Sequence, residues 1–487
     1  MTTAWLASLA ISAAFWLVLA GRVQRLRHGG AFLEAAPPSG QNGGKTPFVS
    51  ILVPARNEAR DLPATLRSLR AQDHRAREII VVDDESEDGT ADVARSLLRD
   101  SPDARVLAGA PRPDPGWIGK SWALVQAVRA ARGDWLLFTD ADVEHHPTSL
   151  RRALEEAETR GYDVITILPA IECRTLRDRL IMPLFVLLAG TMRASDPGGV
   201  RTNEPARLSG AFILIRHSTY RAAGGHESVR GEIVEDMALA RRLRALGCPI
   251  GLRYTHTLVR TPMYEGWREL WHGMIRFAYP MLGRSLARLT LALAAAFFGV
   301  VVPLLALATG SAAALRADPA SATMALAGTV LWLLPCALCG DVARLLRLRR
   351  VWLLALPIGV VVLAAAAAVS AARYRLGSGI EWKGRRYETR EPEASSRPTK
   401  GPTSVRRPAF LLAGRRPAVR GAWGKRTRPA TADTPAVGPL DGYHAGFRRR
   451  KAVARRDLDA GGGAFFVRCR ATRQRFDGVS GAGGTKT

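Results

Sequence analysis

"FVSILVPARNEARDLPATLRSLRAQDHRAREIIVVDDES", residues 48–86, reads as a strand, a helix and a second strand. The apolar run at 48–55 has strand character, and Leu62, Leu66 and Leu69 then recur at helical spacing, with Pro63 tolerable in a first turn. Residues 78–86 form a near-continuous β-branched run, as expected of a parallel strand buried on both faces. The rhythm continues through a helical pattern at 90–100, then "ARVLAGA" (104–110), "SWALVQAVRAARG" (121–133), "DWLLFTDAD" (134–142), "SLRRALEEAETRG" (149–161) and "YDVITILP" (162–169). Such alternation predicts an α/β domain with a mostly parallel sheet.

Ligands of such sheets bind at the carboxyl ends of the strands. The polar clusters "PARNE" (54–58), "DDES" (83–86) and "TDAD" (139–142) each follow a strand, so all three are expected on one rim. An isolated D-x-D also suits a turn or a helix N-cap. Two acidic clusters and a third polar one at three strand ends point instead to a site. Hard divalent cations such as Mg²⁺ or Mn²⁺ are usually held by one or two carboxylates, with substrate phosphates completing the shell. Alternate residues of an extended segment face opposite ways, so Asp140 and Asp142 need not share a role. No G-x-G-x-x-G follows the first strand and no G-x-x-x-x-G-K-[ST] occurs, which argues against a dinucleotide enzyme or a P-loop NTPase.

The chain has 487 residues, 47% of them hydrophobic, enough for a sizeable core. Five scattered cysteines imply no disulfide framework, and Cys336-x-x-Cys339 lies within an apolar run, where small membrane-embedded residues are the expected reading. Of the net charge of +27, residues 391–487 contribute 21 Lys and Arg against 7 Asp and Glu, a net +14. That segment has no helical or strand period and is expected to be a disordered basic tail. The uncharged run at 4–20 precedes Arg22, Arg25 and Arg27, the pattern of a signal anchor with the following domain in the cytoplasm. Three later runs, 289–315, 319–340 and 351–372, are each long enough to span a hydrocarbon core of about 30 Å. Three crossings would carry the Arg-rich tail outside, against the positive-inside tendency, unless one run is re-entrant or interfacial.

"VSILVPARNEARDLPATLRSL", "IIVVDDESEDGTADVA", "GWIGKSWAL", "LLFTDADV", "LSGAFILIRHSTYRAAGGHE" and "VEDMALARRLRALG", spread over 48–279, resemble the family 2 glycosyltransferases with a GT-A fold. "PDPGWIGKSWALVQA" and "EWKGRRY" (381–387) look like the membrane-anchored branch that glycosylates lipids, including hopene-associated, carotenoid-type and ceramide-type transferases. The resemblance implies an inverting, hexosyltransferase-type transfer from a nucleotide-diphosphate sugar, expected to be a UDP-sugar, to a membrane lipid. Its setting would be the cytoplasmic face of the plasma (inner) membrane, with Mg²⁺ or Mn²⁺ as cofactor and no nucleic acid bound by the catalytic domain. Pro54, Arg56, Glu58 and Asp84 fall where the family holds base and ribose, and Lys120 where it meets donor phosphate or sugar. Asp140 and Asp142 match its D-x-D, Asp142 being the more direct metal ligand. Asp236 matches the general base, supported by Glu235, although acids also suit a helix's first turn.

Gly210, Trp271, His272 and Arg276 are candidate donor or acceptor contacts, the last three equally suited to an amphipathic interfacial helix. Gly273 stands where processive relatives carry the Gln of Q-x-x-R-W, which weakens a polysaccharide synthase without removing it as an alternative. An inert basic membrane scaffold is a third reading. His145 and His146 read as loop residues, because a diphosphate site prefers oxygen. The apolar stretch 179–192 is too short to span and suits either the membrane surface or a buried helix. The expected organisation is an anchor at 1–21, a linker at 22–47, a GT-A domain at 48–285, three membrane helices within 286–373, a juxtamembrane segment at 374–390 and the tail at 391–487.

Overall fold

The computed structural model describes residues 3–28, 32–36, 46–114, 116–190, 207–262, 266–315 and 319–387. The tail at 391–487 and much of the 22–47 linker lie outside them. The strands are β1 (Val49–Ala55), β2 (Arg77–Asp83), β3 (Ala104–Ala108), β4 (Trp135–Phe138), β5 (Glu144–His145), β6 (Val164–Leu168), β7 (Ala170–Glu172), β8 (Ile213–Arg216), β9 (Ile250–Tyr254), β10 (Val259–Pro262), β11 (Ile380–Trp382) and β12 (Arg385–Tyr387).

Seven of them form one sheet in the order β3-β2-β1-β4-β8-β6-β9. Its strands run parallel except β8, which is antiparallel to both β4 and β6. Alternation sorts the strand side chains into two cores, as a doubly covered sheet requires. Ile51, Val53, Ile79, Val81 and Leu137 pack with Leu62, Leu66 and Leu69 on one side. Leu52, Ile80, Val82, Leu136 and Phe138 pack with Ala123, Leu124, Leu239 and Leu243 on the other. The helices Leu62–Arg70 and Thr90–Leu98 therefore cover one face, and Gly119–Ala130 and Glu235–Ala245 the opposite one. From β1 the chain moves outward to β2 and β3, then returns to place β4 on β1's other edge. That reversal opens a crevice at the carboxyl ends of β1 and β4.

Four described segments are long and apolar enough to cross a membrane: Thr3–Gly21, Leu286–Ala314, Pro319–Leu338 and Arg350–Leu376. Cys336 and Cys339 are both free, Cys339 fully buried among apolar side chains. The stretch beginning at residue 179 lies in a helix, Leu176–Gly190, which buries Ile181, Met182, Leu184 and Leu187 against Leu353 and Leu356. The described part of this stretch is therefore buried rather than spread on a bilayer, and polar substitutions at Leu184 or Leu187 would report lost packing first.

Candidate active site

The loops after β1 and β2 both pass through a left-handed residue that is not glycine, Asn57 at φ 52° and Glu85 at φ 56°. Such conformations persist where surrounding bonds over-determine them. Here Arg56 donates from Nη1 to the carbonyls of Asp84 (2.6 Å) and Glu85 (2.7 Å). The Asn57 N–H donates to Ser86 Oγ (3.0 Å), Glu87 N–H to Asn57 Oδ1 (2.9 Å), and Glu58 N–H to Thr90 Oγ1 (2.8 Å). Arg56 thus binds two loops to each other while also lining the cavity they border.

The cavity, about 280 Å³, is lined by Pro54, Arg56, Glu58, Asp84, Lys120, Asp140, Asp142, Gly210, Glu235, Asp236 and Arg276. Eleven of the thirteen residues singled out from the sequence meet there. His272 lines an adjoining groove with Glu269 and Arg276. Trp271 packs into the apolar layer with Leu270 and Met274 and stacks on Trp267 at 6.1 Å. His145 lies in β5, buried, its Nε2 2.9 Å from Thr139 Oγ1, and burial pulls its imidazole down to about 3. Neither it nor His146 is among the residues lining the cavity.

Lys120 is in the first turn of the helix Gly119–Ala130, which points it into the crevice. Its Nζ is 2.6 Å from Asp140 Oδ1 and 2.8 Å from Glu235 Oε1. Burial disfavours the ammonium, but the two carboxylates outweigh it and hold Lys120 charged well above its ordinary range. Asp236 accepts from the N–H of Gly210 (3.1 Å) and of Met237 (2.6 Å), so its carboxylate is fixed in orientation. Burial, reinforced by Glu235, raises it to about 7. Burial, then Asp140 and Glu58, likewise raises Asp142 to about 7. Each is an anionic group crowded by anions, a site short of positive charge.

That shortage suits a divalent cation. Among the described residues no three His, Cys, Asp or Glu side chains form a ready-made metal cluster. Asp140 and Asp142, which both line the cavity, are the carboxylates that could hold a hard ion together with phosphate and water.

The stretch "EWKGRRY", expected as a juxtamembrane segment of the lipid-glycosylating branch, also brings side chains to the site that the sequence did not single out. Strands β11 and β12 form an antiparallel hairpin whose basic residues reach the rim. Lys383 Nζ is 3.0 Å from Glu58 Oε1, Arg385 Nη1 is 2.6 Å from Asp84 Oδ2, and Arg385 also pairs with Glu85. Arg56 Nε donates to the Lys383 carbonyl at 3.2 Å. Burial keeps Glu58 and Asp84 above the usual carboxylate range even with these cations beside them.

A side chain at residue 210 would intrude on this network, since a Cβ there would lie 2.8 Å from Lys120 Nζ and 3.1 Å from Asp140 Oδ2. Gly210→Ala is expected to push the Lys120 ammonium or the Asp140 carboxylate out of their pair, read as slower product formation with little change in melting temperature.

A seven-stranded, mostly parallel sheet with an acid-rimmed crevice at its switch point is the GT-A arrangement, and residues 50–200 match the model of the Glycosyl transferase family 2. The chain carries a family 2 glycosyltransferase domain. It is similar to the 4,4'-diaponeurosporenoate glycosyltransferases of Staphylococcus haemolyticus (28% identical over 232 residues) and Staphylococcus aureus (28% over 268 residues). The matches cover 46% and 53% of this chain, and span 59% and 68% of those relatives' own lengths. Among solved structures it is similar to a Pyrobaculum calidifontis mannosyltransferase in complex with GDP-Man and Mn²⁺ (19% identity, TM-score 0.42, covering 73% of this chain and 99% of that one). It is also similar to Staphylococcus aureus TarS in complex with UDP (15% identity, TM-score 0.34, covering 70% and 98%).

Proposed function

We propose that the protein transfers one sugar, with inversion, from a nucleotide-diphosphate donor, expected to be a UDP-sugar, to a hydroxyl of a membrane lipid at the cytoplasmic face of the plasma membrane. The observation that carries this reading is the meeting of Asp140, Glu235 and Lys120 in one ion network beside Asp142 and Asp236. A bound divalent ion, held by Asp142 and Asp140, would offset charge growing on the leaving diphosphate. Lys120 would add positive charge to the same end of the donor. The acceptor oxygen bonds to the anomeric carbon as the carbon–phosphate oxygen bond breaks, the electron pair leaving on the diphosphate and the acceptor proton passing to Asp236. Glu235, paired with Lys120, lies next to the base in the chain. Pro54, Glu58 and Asp84 would border base and ribose, with Arg56 holding their loops. A lipid acceptor is supported by the apolar segment Arg350–Leu376, whose Tyr374 bonds to the cavity residue Arg276, and by the carotenoid-type relatives.

The test supplies membrane vesicles containing the full chain with a panel of nucleotide-sugars and Mg²⁺ or Mn²⁺, followed by mass spectrometry of extracted lipid. A single added hexose supports the reading; long polymer would favour a processive synthase. Asp142→Asn is expected to lower product formation about a hundredfold or more, the scale of several kcal/mol of lost charge stabilisation, and to raise the metal concentration needed. Unchanged turnover in that variant would remove Asp142 from the metal role.

A further inference from the structure

The three late apolar segments cannot all cross the bilayer if the chain is to return to its own active site. The first two form a tight antiparallel hairpin: a Cβ at Gly310 would lie 2.6 Å from the Ala325 N, and one at Gly328 2.6 Å from the Pro303 carbonyl. Two crossings bring the chain back to the face it left. There Arg347 Nη1 lies 3.4 Å from Glu172 Oε1 at the end of β7, and the Arg179 guanidinium sits 5.6 Å from the Trp352 ring.

The helix Leu356–Leu376 starts from that point. Gly359 in its first turns is packed on Leu184, where an added Cβ would be 3.0 Å from the Leu184 Cβ. Near its other end Ser370 Oγ accepts from the Tyr279 N–H (3.2 Å), and Tyr374 OH donates to the Arg276 carbonyl (3.3 Å). Arg276 lines the cavity, and the hairpin that follows pairs Lys383 and Arg385 with Glu58 and Asp84. Both ends of this helix are therefore held by the catalytic domain, on one side of any membrane. A spanning helix would put about 30 Å of hydrocarbon between them.

The surface pattern agrees. Gly359, Ser370 and Tyr374 are buried against Leu184, Tyr279 and the Arg276 carbonyl, while Ala367 and Ala371 pack with Leu289 of an earlier apolar segment. Val351 (55% exposed), Ile358 (49%) and Val361 (68%) continue through exposed Ala365, Ala368 and Ala372 as a stripe on the opposite side, recurring at steps of three and four once the helix begins. Composition alone makes this segment a crossing candidate, because the protein-facing side is as apolar as the outward one.

We infer that Arg350–Leu376 does not span the bilayer but lies in its cytoplasmic leaflet, with one face on the catalytic domain and the exposed stripe against lipid acyl chains. The late region then has two crossings, and the chain leaves Tyr387 on the catalytic side, the side on which basic sequence is favoured. The choice of leaflet rests on the cytoplasmic placement proposed above, and the in-plane position on the contacts at the helix's two ends.

The test uses the full chain with its five native cysteines replaced and single cysteines introduced by Arg349→Cys, Ser378→Cys and Leu315→Cys. Sealed inside-out and right-side-out vesicles are treated with a membrane-impermeant maleimide, and labelling in detergent confirms that each thiol reacts. Arg349→Cys and Ser378→Cys should label from the same face and Leu315→Cys from the opposite one. Labelling of the first two from opposite faces would overturn the inference. Spin labels at 351, 361 and 368 give an independent reading of depth. Similar shallow depths support the in-plane helix, and a maximum at 361 between two shallower ends rejects it.

Discussion

Asp236→Asn is expected to slow product formation by about 10²–10⁴-fold, the usual contribution of a positioned general base, while the donor KM changes little. The substitution keeps the side chain's shape and removes the charge that accepts a proton, although its single amide oxygen can accept from only one of the Gly210 and Met237 N–H groups, which bond to different carboxylate oxygens. A pH profile separates this from a packing defect. Burial and Glu235 raise the Asp236 carboxyl to about 7, and a carboxyl is a base only when ionised. At metal concentrations high enough to keep Asp142, raised to the same range, ionised, turnover should therefore fall as pH drops through about 7, and Asp236→Asn should flatten that acid limb at its low residual rate. A variant retaining parental turnover and the same limb would require another base.

Lys120→Met is expected to damage both activity and stability. The Lys120 side chain is 16% exposed and the Glu235 side chain 9%, so removing the cation leaves a buried carboxylate unpaired beside Asp140 and Asp236. Breaking a buried pair from one side costs about 3–5 kcal/mol, less whatever the acids recover by binding protons. Added Mn²⁺ should raise the variant's melting temperature more than the parent's, because an ion between the acids replaces part of the missing charge. The measurement is thermal unfolding of the full chain in detergent, with and without Mn²⁺. Equal melting temperatures and equal metal responses would show that Lys120 is not the counter-ion of this cluster.

Much of the site was legible because it depends on short sequence intervals and one rule of sheet topology. "PARNE", "DDES" and "TDAD" each follow a buried strand, so once the alternation is read the clusters must share a rim. Strand direction was less accessible: nothing in "ILIR" says that β8 runs against its neighbours, since direction comes from the connections around it. The position of Trp271 illustrates a similar limit. Its helix, Trp267–Met281, has a polar and an apolar face, and only the partners show that Trp271 belongs to the apolar layer while Arg276 reaches the cavity. The pairing of Arg385 with Asp84 joins residues 301 positions apart, beyond any local pattern. The segment Arg350–Leu376 has the length and hydropathy of a crossing, and only the contacts at its two ends distinguish an in-plane helix from a spanning one.

The β11–β12 hairpin has a consequence for how the enzyme is made. Glu58 and Asp84 leave the ribosome early, whereas Lys383 and Arg385, which neutralise them, emerge only after every apolar segment has been synthesised. A chain released before residue 380 would lack the hairpin that pairs with Glu58 and Asp84 at the cavity rim. The rim is therefore complete only once the last apolar segment has been made, and a fragment ending near residue 285 lacks the hairpin's cations.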